Sequence, residues 1–324
     1  MIRFNKHALA VAFALTVALL AARPAHAKDF SITNCSSPYI AKTAGATYNV
    51  VANLEAESGD CIEVEATGII INLGGWAVTG PCPIPSWCAK AYGVYIAPGA
   101  TGAQIIGPGT IQGFNVGVGD FGNSALIQGM TIQYNMTGGV LLYGVDGSVV
   151  AENPFIWFNG TAPLTTPYGV LLENTTNSVV QYNTQISYNG NQNGPFGDGI
   201  WIQNNSTTTT LSSHNDVIAN ELNNSYNGML SDQAFGIWVG YNNSLGCPNV
   251  APSTDTVIVN NAVVDYNTQI GIGLQCNGAQ QSTVMHNVTQ FNGMFDLFDG
   301  NPGCNTDFWA VDSFGSSNQP GCAD

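Results

Sequence analysis

Cleavage of a glycosidic bond needs two carboxylates, one to protonate the leaving oxygen and one to activate water or attack carbon. The middle of this 324-residue sequence offers Glu173, Asp198, Asp216 and Asp232 for that work. Glu173 and Asp198 are the pair expected to share a face, since each adjoins a short apolar segment, one carrying Leu171 and the other Trp201. Trp201 and Trp238 are the candidate sugar contacts, with Tyr168, Gln203 and Asp232 beside them. Aromatic faces bury the apolar side of a sugar ring while its polar groups stay wet. The acids carry no hydrolase signature, because paired aspartates and a Gly-His-Gly tract are both missing.

Other chemistries have less to work with. His214 with Asp216, and His286, invite a triad or a metal, but two histidines 72 positions apart without a Met-rich tract do not make a metal site. No dense Asp cluster and no nonapeptide repeat that would hold Ca²⁺ is present. No metal and no cofactor is expected.

Charge narrows the partners. The chain has 6 Lys+Arg against 21 Asp+Glu, a formal −15. Residues 1–27 read as a signal peptide: Arg3, Lys6 and His7 precede an apolar run over 8–22, and Ala25-His26-Ala27 is a small-x-small cleavage site. Without them only Lys28, Lys42 and Lys90 face the 21 acids, a formal −18 with no arginine. Nucleic acid, which is held by Lys and Arg on phosphates, is excluded as a partner. A lyase or epimerase acting on uronates is disfavoured as well, since it would need a cation beside the developing charge. No later apolar run is long enough for a bilayer, so no membrane insertion is expected and the mature chain should be secreted, periplasmic or extracellular.

All eight cysteines lie in the exported part, at Cys35, Cys61, Cys82, Cys88, Cys247, Cys276, Cys304 and Cys322. An even number in an oxidising compartment reads as disulfides. Pairing of neighbours is the working expectation: Cys35–Cys61, Cys82–Cys88, Cys247–Cys276 and Cys304–Cys322. Sequence leaves about 105 connectivities open.

The elements that must position these residues are written as a repeat. A unit of Gly, β-branched or Leu residue, variable residue and aliphatic residue recurs as Gly93-Val94-Tyr95-Ile96, Gly139-Val140-Leu141-Leu142, Gly169-Val170-Leu171-Leu172, Gly199-Ile200-Trp201-Ile202, Gly236-Ile237-Trp238-Val239 and Gly271-Ile272-Gly273-Leu274. Period-2 alternation puts the second and fourth residues inward and the third outward. An aromatic–Asn pair follows at Phe114-Asn115, Tyr134-Asn135, Phe158-Asn159, Tyr188-Asn189, Tyr226-Asn227, Tyr266-Asn267 and Phe291-Asn292. Between the two marks a β-branched pair closes on Asn153, Asn183, Asn220 and Asn260 or Asn261. Three short strands per repeat, with Gly and Asn at the turns, describe one rung of a right-handed parallel β-helix whose recurring asparagines stack as amide ladders. Trp201 and Trp238 then fall on consecutive rungs, about 4.8 Å apart. The long insertions at 161–168, 190–198, 204–215, 228–235 and 240–255 would wall a cleft over them.

From about residue 45 onward the chain resembles the secreted right-handed β-helix proteins of the pectin-lyase-like superfamily. The resemblance rests on Tyr48-Asn49-Val50-Val51, Asp60-Cys61-Ile62-Glu63-Val64, Gly68-Ile69-Ile70-Ile71-Asn72-Leu73-Gly74-Gly75 and Ile105-Ile106-Gly107-Pro108-Gly109-Thr110-Ile111, with Cys304, Trp309, Phe314 and Cys322 resembling a stapled cap. It implies an all-β, single-domain solenoid of about nine rungs: an N-terminal cap and first rung over 28–68, the helix over 69–298 and a disulfide-stapled cap over 299–324. The superfamily's functions are diverse. Two classes stay open: a protein that binds extracellular or cell-wall polysaccharide, with or without glycoside hydrolase activity on neutral glycan, and a non-catalytic structural or adhesive surface protein. The oligomeric state is left unspecified.

Overall fold

Aliphatic residues at every second strand position stack into columns, and these columns are the core. Val94, Val118, Val140, Val170, Ile200, Ile237, Ile272 and Leu297 are partners in successive strands, and each is buried. Burying each such side chain contributes about 1.5–3 kcal/mol. The computed structural model describes residues 28–82, 91–160, 166–190, 197–207, 209, 211–223, 233–241, 245–301 and 306–319. The signal segment, Cys88, Asn227, Asp232, Cys304 and Cys322 lie outside those residues.

The architecture is an all-β parallel β-helix of roughly ten rungs. A ten-stranded sheet, here the glycine-led sheet, runs from Tyr39–Ala41 to Phe295–Asp299, and an eleven-stranded sheet runs from Asp29–Ile32 to Phe308–Ala310. A third face holds six strands from Leu54–Glu55 to Ile186–Ser187 and continues as the pairs Glu221–Asn223 with Val263–Asp265 and Val288–Thr289 with Ser313–Phe314. Among the described residues the strand pairings in these sheets are parallel, each strand lying on its counterpart one rung away. The strand ladders run from Asp29–Ile32 to Ser313–Phe314.

The leading glycine of each rung has a packing cause. A Cβ on Gly169 would stand 2.6 Å from the Gly199 carbonyl oxygen and 2.7 Å from Ile186, so the backbone fits there only without a side chain. Val116–Asp120 belongs to the same sheet, yet it escapes the sequence pattern because Asp120 stands at the inward fourth position, where the other units have an aliphatic residue.

The expected amide ladders are present at two corners. One runs Asn153, Asn183, Asn220, Asn261, Asn287, each Nδ2 donating to the next Oδ1 at 2.8–3.2 Å. The other runs Asn135, Asn159, Asn189, Gln233, Asn267, Asn292. Gln233 holds the rung for which the sequence suggested Asn227, its longer side chain accepting from Asn189 and donating to Asn267. A second difference lies at Phe114-Asn115. Gln112 pairs with Gln133, so Gly113 rather than Phe114 corresponds to Tyr134, and Phe114 takes the ladder position, fully buried and donating its backbone N–H to Asn135 Oδ1.

Two of the expected disulfides close, Cys35–Cys61 and Cys247–Cys276. Cys82 is disulfide-bonded too, while Cys88, Cys304 and Cys322 lie outside the described residues.

Candidate functional site

The outward column of the glycine-led sheet reads Glu63, Tyr95, Gly119, Leu141, Leu171, Trp201, Trp238, Gly273, Phe298 in strict register. Trp201 and Trp238 are neighbours, as their spacing predicts, but they do not form an open surface. Trp201 is 5% exposed and Trp238 is fully buried, in a second apolar cluster with Tyr168, Leu171, Phe235 and Ile270. Trp238 stacks on Phe235 at 4.7 Å and leans over Gly273, where a Cβ would come within 2.4 Å of the indole. The Trp201 indole N–H donates inside the protein, to the Gly240 carbonyl at 2.8 Å. Outward orientation was readable from alternation; exposure was not, because it depends on what the polypeptide between the strands covers.

The proposed acid pair is not brought together. Asp198 is the register partner of Tyr168, and Glu173 is the partner of Gln203, five residues further along the strand from Asp198. At the rise of a strand this separates the two backbone positions by about 16 Å along the chain direction, against the roughly 5–9.5 Å between carboxyl groups that glycoside cleavage uses. Their surroundings differ as well: Asp198 is fully buried, whereas Glu173 is partly exposed and accepts from Asn205 Nδ2 at 2.9 Å. Tyr168 is buried within the cluster, and burial pushes its hydroxyl well above the ordinary range. Gln203 is also buried, and Asp232 lies outside the described residues.

The N-terminal half of the same face is open. Tyr92, Tyr95, Phe121 and Tyr143 form a contiguous aromatic patch with ring centroids 5.2–5.9 Å apart, and Tyr143 is 42% exposed. Glycine shapes it, since the Tyr92 ring occupies the space over Gly119. Two carboxylates border the patch. Asp60 Oδ1 accepts the Tyr92 backbone N–H at 2.7 Å, and Glu63 is the register partner of Tyr95. Burial raises the Asp60 carboxyl, and burial followed by the neighbouring Asp60 and Glu65 charges raises that of Glu63. The hydroxyls of Tyr92 and Tyr95 move up by burial and by Asp60. Sequence reading reached Tyr95 through its outward position but missed Phe121 and Tyr143, which follow the repeat unit at the strand ends.

Beneath this face one acid points the other way. Asp120 stands between Ile96 and Leu142 in the inward column, with its oxygens accepting from Gly122 N at 2.9 Å and Ser148 Oγ at 2.7 Å. Burial pushes its carboxyl up to about 6 against the lowering effect of both hydrogen bonds.

The histidines lie elsewhere. His214 is 65% exposed at its side chain and 3.9 Å from Asp255. His286 holds the left-handed turn position before Asn287, as Glu152 and Tyr182 do before their ladder asparagines, in agreement with its place in the repeat. Among the described residues no group of three or more His, Cys, Asp or Glu could hold a metal.

Neither protein-family profiles nor curated proteins match the sequence. The fold is similar to that of solved structures. The Dettilon tailspike protein (gp208) superposes with a TM-score of 0.52 at 15% identity over 89% of this chain, which spans 62% of the tailspike's length. An alginate lyase from Paenibacillus sp. str. FPU-7 is matched over 90% of this chain and 99% of its own, with a TM-score of 0.48 and 12% identity. At 15% identity the likeness to the tailspike shows the fold alone, a parallel β-helix.

Proposed function

We propose that this chain is an exported polysaccharide-binding β-helix that holds its ligand without hydrolysing it. The observation carrying this reading is the open patch of Tyr92, Tyr95, Phe121 and Tyr143 on the outer face of the glycine-led sheet. Tilted rings offer apolar faces to sugars, and the Asp60 and Glu63 carboxylates beside them accept hydrogen bonds from sugar hydroxyls. The separation of Glu173 from Asp198 supports binding over cleavage. Export is supported by the disulfides Cys35–Cys61 and Cys247–Cys276. Among the described residues no helix is long and apolar enough to cross a membrane.

The test is a polysaccharide array probed with wild type and with the double variant Tyr95→Ala/Tyr143→Ala, followed by analysis of any bound glycan for new reducing ends. Binding by wild type, loss in the variant and no fragments is the expected result. Unchanged binding in the variant overturns the site, and release of fragments overturns the non-hydrolytic reading.

A further inference from the structure

A separate feature lies at the corner between the third face and the glycine-led sheet. Tyr134, Phe158 and Tyr188 occupy equivalent left-handed turn positions on three rungs, and their rings form a near-parallel stack. Tyr134 and Phe158 are 5.4 Å apart with an interplanar angle of 7°, and Phe158 and Tyr188 are 4.9 Å apart at 20°. The stack stops at Tyr134. On the preceding rung the corresponding residue is Gly113, in the same left-handed conformation at φ 74°, and on the rung before that it is Gly80. Gly80 admits no side chain at all, because a Cβ there would collide with the Gly113 carbonyl.

Where two further rings would continue the stack there is instead an open cavity of about 420 Å³, lined by Thr79, Gly80, Pro81, Cys82, Gln112, Gly113 and Tyr134. Two rungs correspond to about 9.6 Å along the solenoid axis. One face of Tyr134 is covered by Phe158, and the other adjoins this slot; the residue as a whole is 39% exposed. A line of donors runs toward the same slot. Trp157 Nε1 donates to Gln133 Oε1 at 2.7 Å, and Gln133 Nε2 donates to Gln112 Oε1 at 3.0 Å. The next donor in the line is the Gln112 amide nitrogen, on a wall of the cavity. None of the lining residues is charged.

We infer that this slot binds one uncharged pyranose unit of a glycan, stacked on the free face of Tyr134 in the place of the missing ring and hydrogen-bonded by the Gln112 amide and the Thr79 hydroxyl. An aromatic floor, neutral amide and hydroxyl walls and a flat gap in a ring stack are the features a sugar ring satisfies, and among the described residues that line it a carboxylated sugar would find no cation. The site is distinct from the Tyr95 and Tyr143 patch and stands or falls separately from it.

The slot can be closed by extending the stack. Gly113→Phe places a ring where its neighbours have theirs, in a backbone conformation that Tyr134 and Phe158 already adopt as non-glycine residues, with its Cβ 3.3 Å from Gly80 N. Tyr134→Ala removes the floor, and Tyr134→Phe keeps it. The experiment is saturation-transfer NMR and calorimetric titration of the mature chain with cellohexaose, xylohexaose, mannohexaose and a hexauronate, with circular dichroism melts on every variant.

At least one neutral hexaose is expected to bind wild type and Tyr134→Phe alike. It should bind Gly113→Phe and folded Tyr134→Ala weaker by about tenfold or more, the loss of one well-stacked ring. Should Gly113→Phe fail to fold, Tyr134→Ala against Tyr134→Phe decides. The inference is overturned if no neutral hexaose binds, if the hexauronate binds better, or if Tyr134→Ala binds as wild type does. Loss only in Tyr95→Ala/Tyr143→Ala would overturn this slot while upholding the patch.

Discussion

Asn292 donates both its side-chain amide and its backbone N–H to one oxygen of Asp296, at 2.8 and 3.1 Å. Asn287 treats Asp312 Oδ1 the same way, at 2.9 and 2.7 Å. Each earlier asparagine of these ladders makes the same double donation to the next amide oxygen, as Asn153 does to Asn183 at 2.9 and 3.1 Å. A ladder polarised in this direction must end on a group that only accepts, and a carboxylate meets that need. Part of the chain's acidity is therefore ladder termination.

Replacing a mid-ladder asparagine should cost far more than a change on the surface. Asn183→Leu strands the buried backbone N–H of Asn153, leaves the Asn153 amide only the Ile127 carbonyl, and leaves the Asn220 side-chain oxygen only the backbone donation from position 183. Each stranded buried group costs about 1–3 kcal/mol, so a loss of about 2–5 kcal/mol is expected in urea unfolding. Asp312→Asn retains an acceptor oxygen and should cost less than half as much. Equal effects of the two would mean that the ladder acts through volume rather than hydrogen bonding.

Stability should rise on mild acidification. The native Asp120 carboxyl at about 6, against an ordinary 3.8, binds its proton more tightly than the unfolded chain does. Its penalty is fully present above the native value, declines as pH falls through about 6 and is gone below the unfolded value, a span of about 3 kcal/mol. Asp216, Asp265, Asp299, Asp307 and Asp312 are raised by burial and act in the same direction. The urea midpoint is expected to be higher at pH 5 than at pH 7, and Asp120→Asn should flatten that difference. A midpoint that falls between pH 7 and pH 5 would contradict this account.

Stacking made the core legible in advance. A column such as Val170, Ile200, Ile237 must repeat if rungs are to pair, and so must the asparagine of each turn; repetition is visible in a sequence. The outer face carries no such constraint. Trp201 and Trp238 have the alternation of exposed residues but are covered, whereas Phe121 and Tyr143 sit just beyond the repeat unit and are accessible. The slot beside Tyr134 depends on a one-residue distinction, whether Gly113 or Phe114 matches Tyr134, that pairing resolves and composition does not. The separation of Glu173 from Asp198 is legible in the same repeat, since Asp198 precedes its glycine-led unit and Glu173 follows its own.

Burial of the two indoles sets a further expectation. Trp238→Ala removes a fully buried ring from the outer cluster and should cost about 3–5 kcal/mol. Polysaccharide binding by the folded protein should be unaffected, since the open patch and the Tyr134 slot lie on other rungs. Thermal melts together with the array read both quantities. Loss of binding with stability intact would return the tryptophans to the ligand site.

The Cys35–Cys61 bridge ties the first coil of the solenoid to the next, closing a loop with a sequence separation of 26. Cys35 and Cys61 are both buried within the core cluster, so the bridge also seals the end of the hydrophobic column. A loop of this length raises native stability by about 3 kcal/mol through restriction of the unfolded chain. Cys35→Ala/Cys61→Ala should lower the stability by about that amount and make the first strands, Asp29–Ile32 and Tyr39–Ala41, the earliest to exchange amide hydrogens. Hydrogen exchange that begins instead at the C-terminal strands, with no change near Asp29, would show that the bridge does not guard that end.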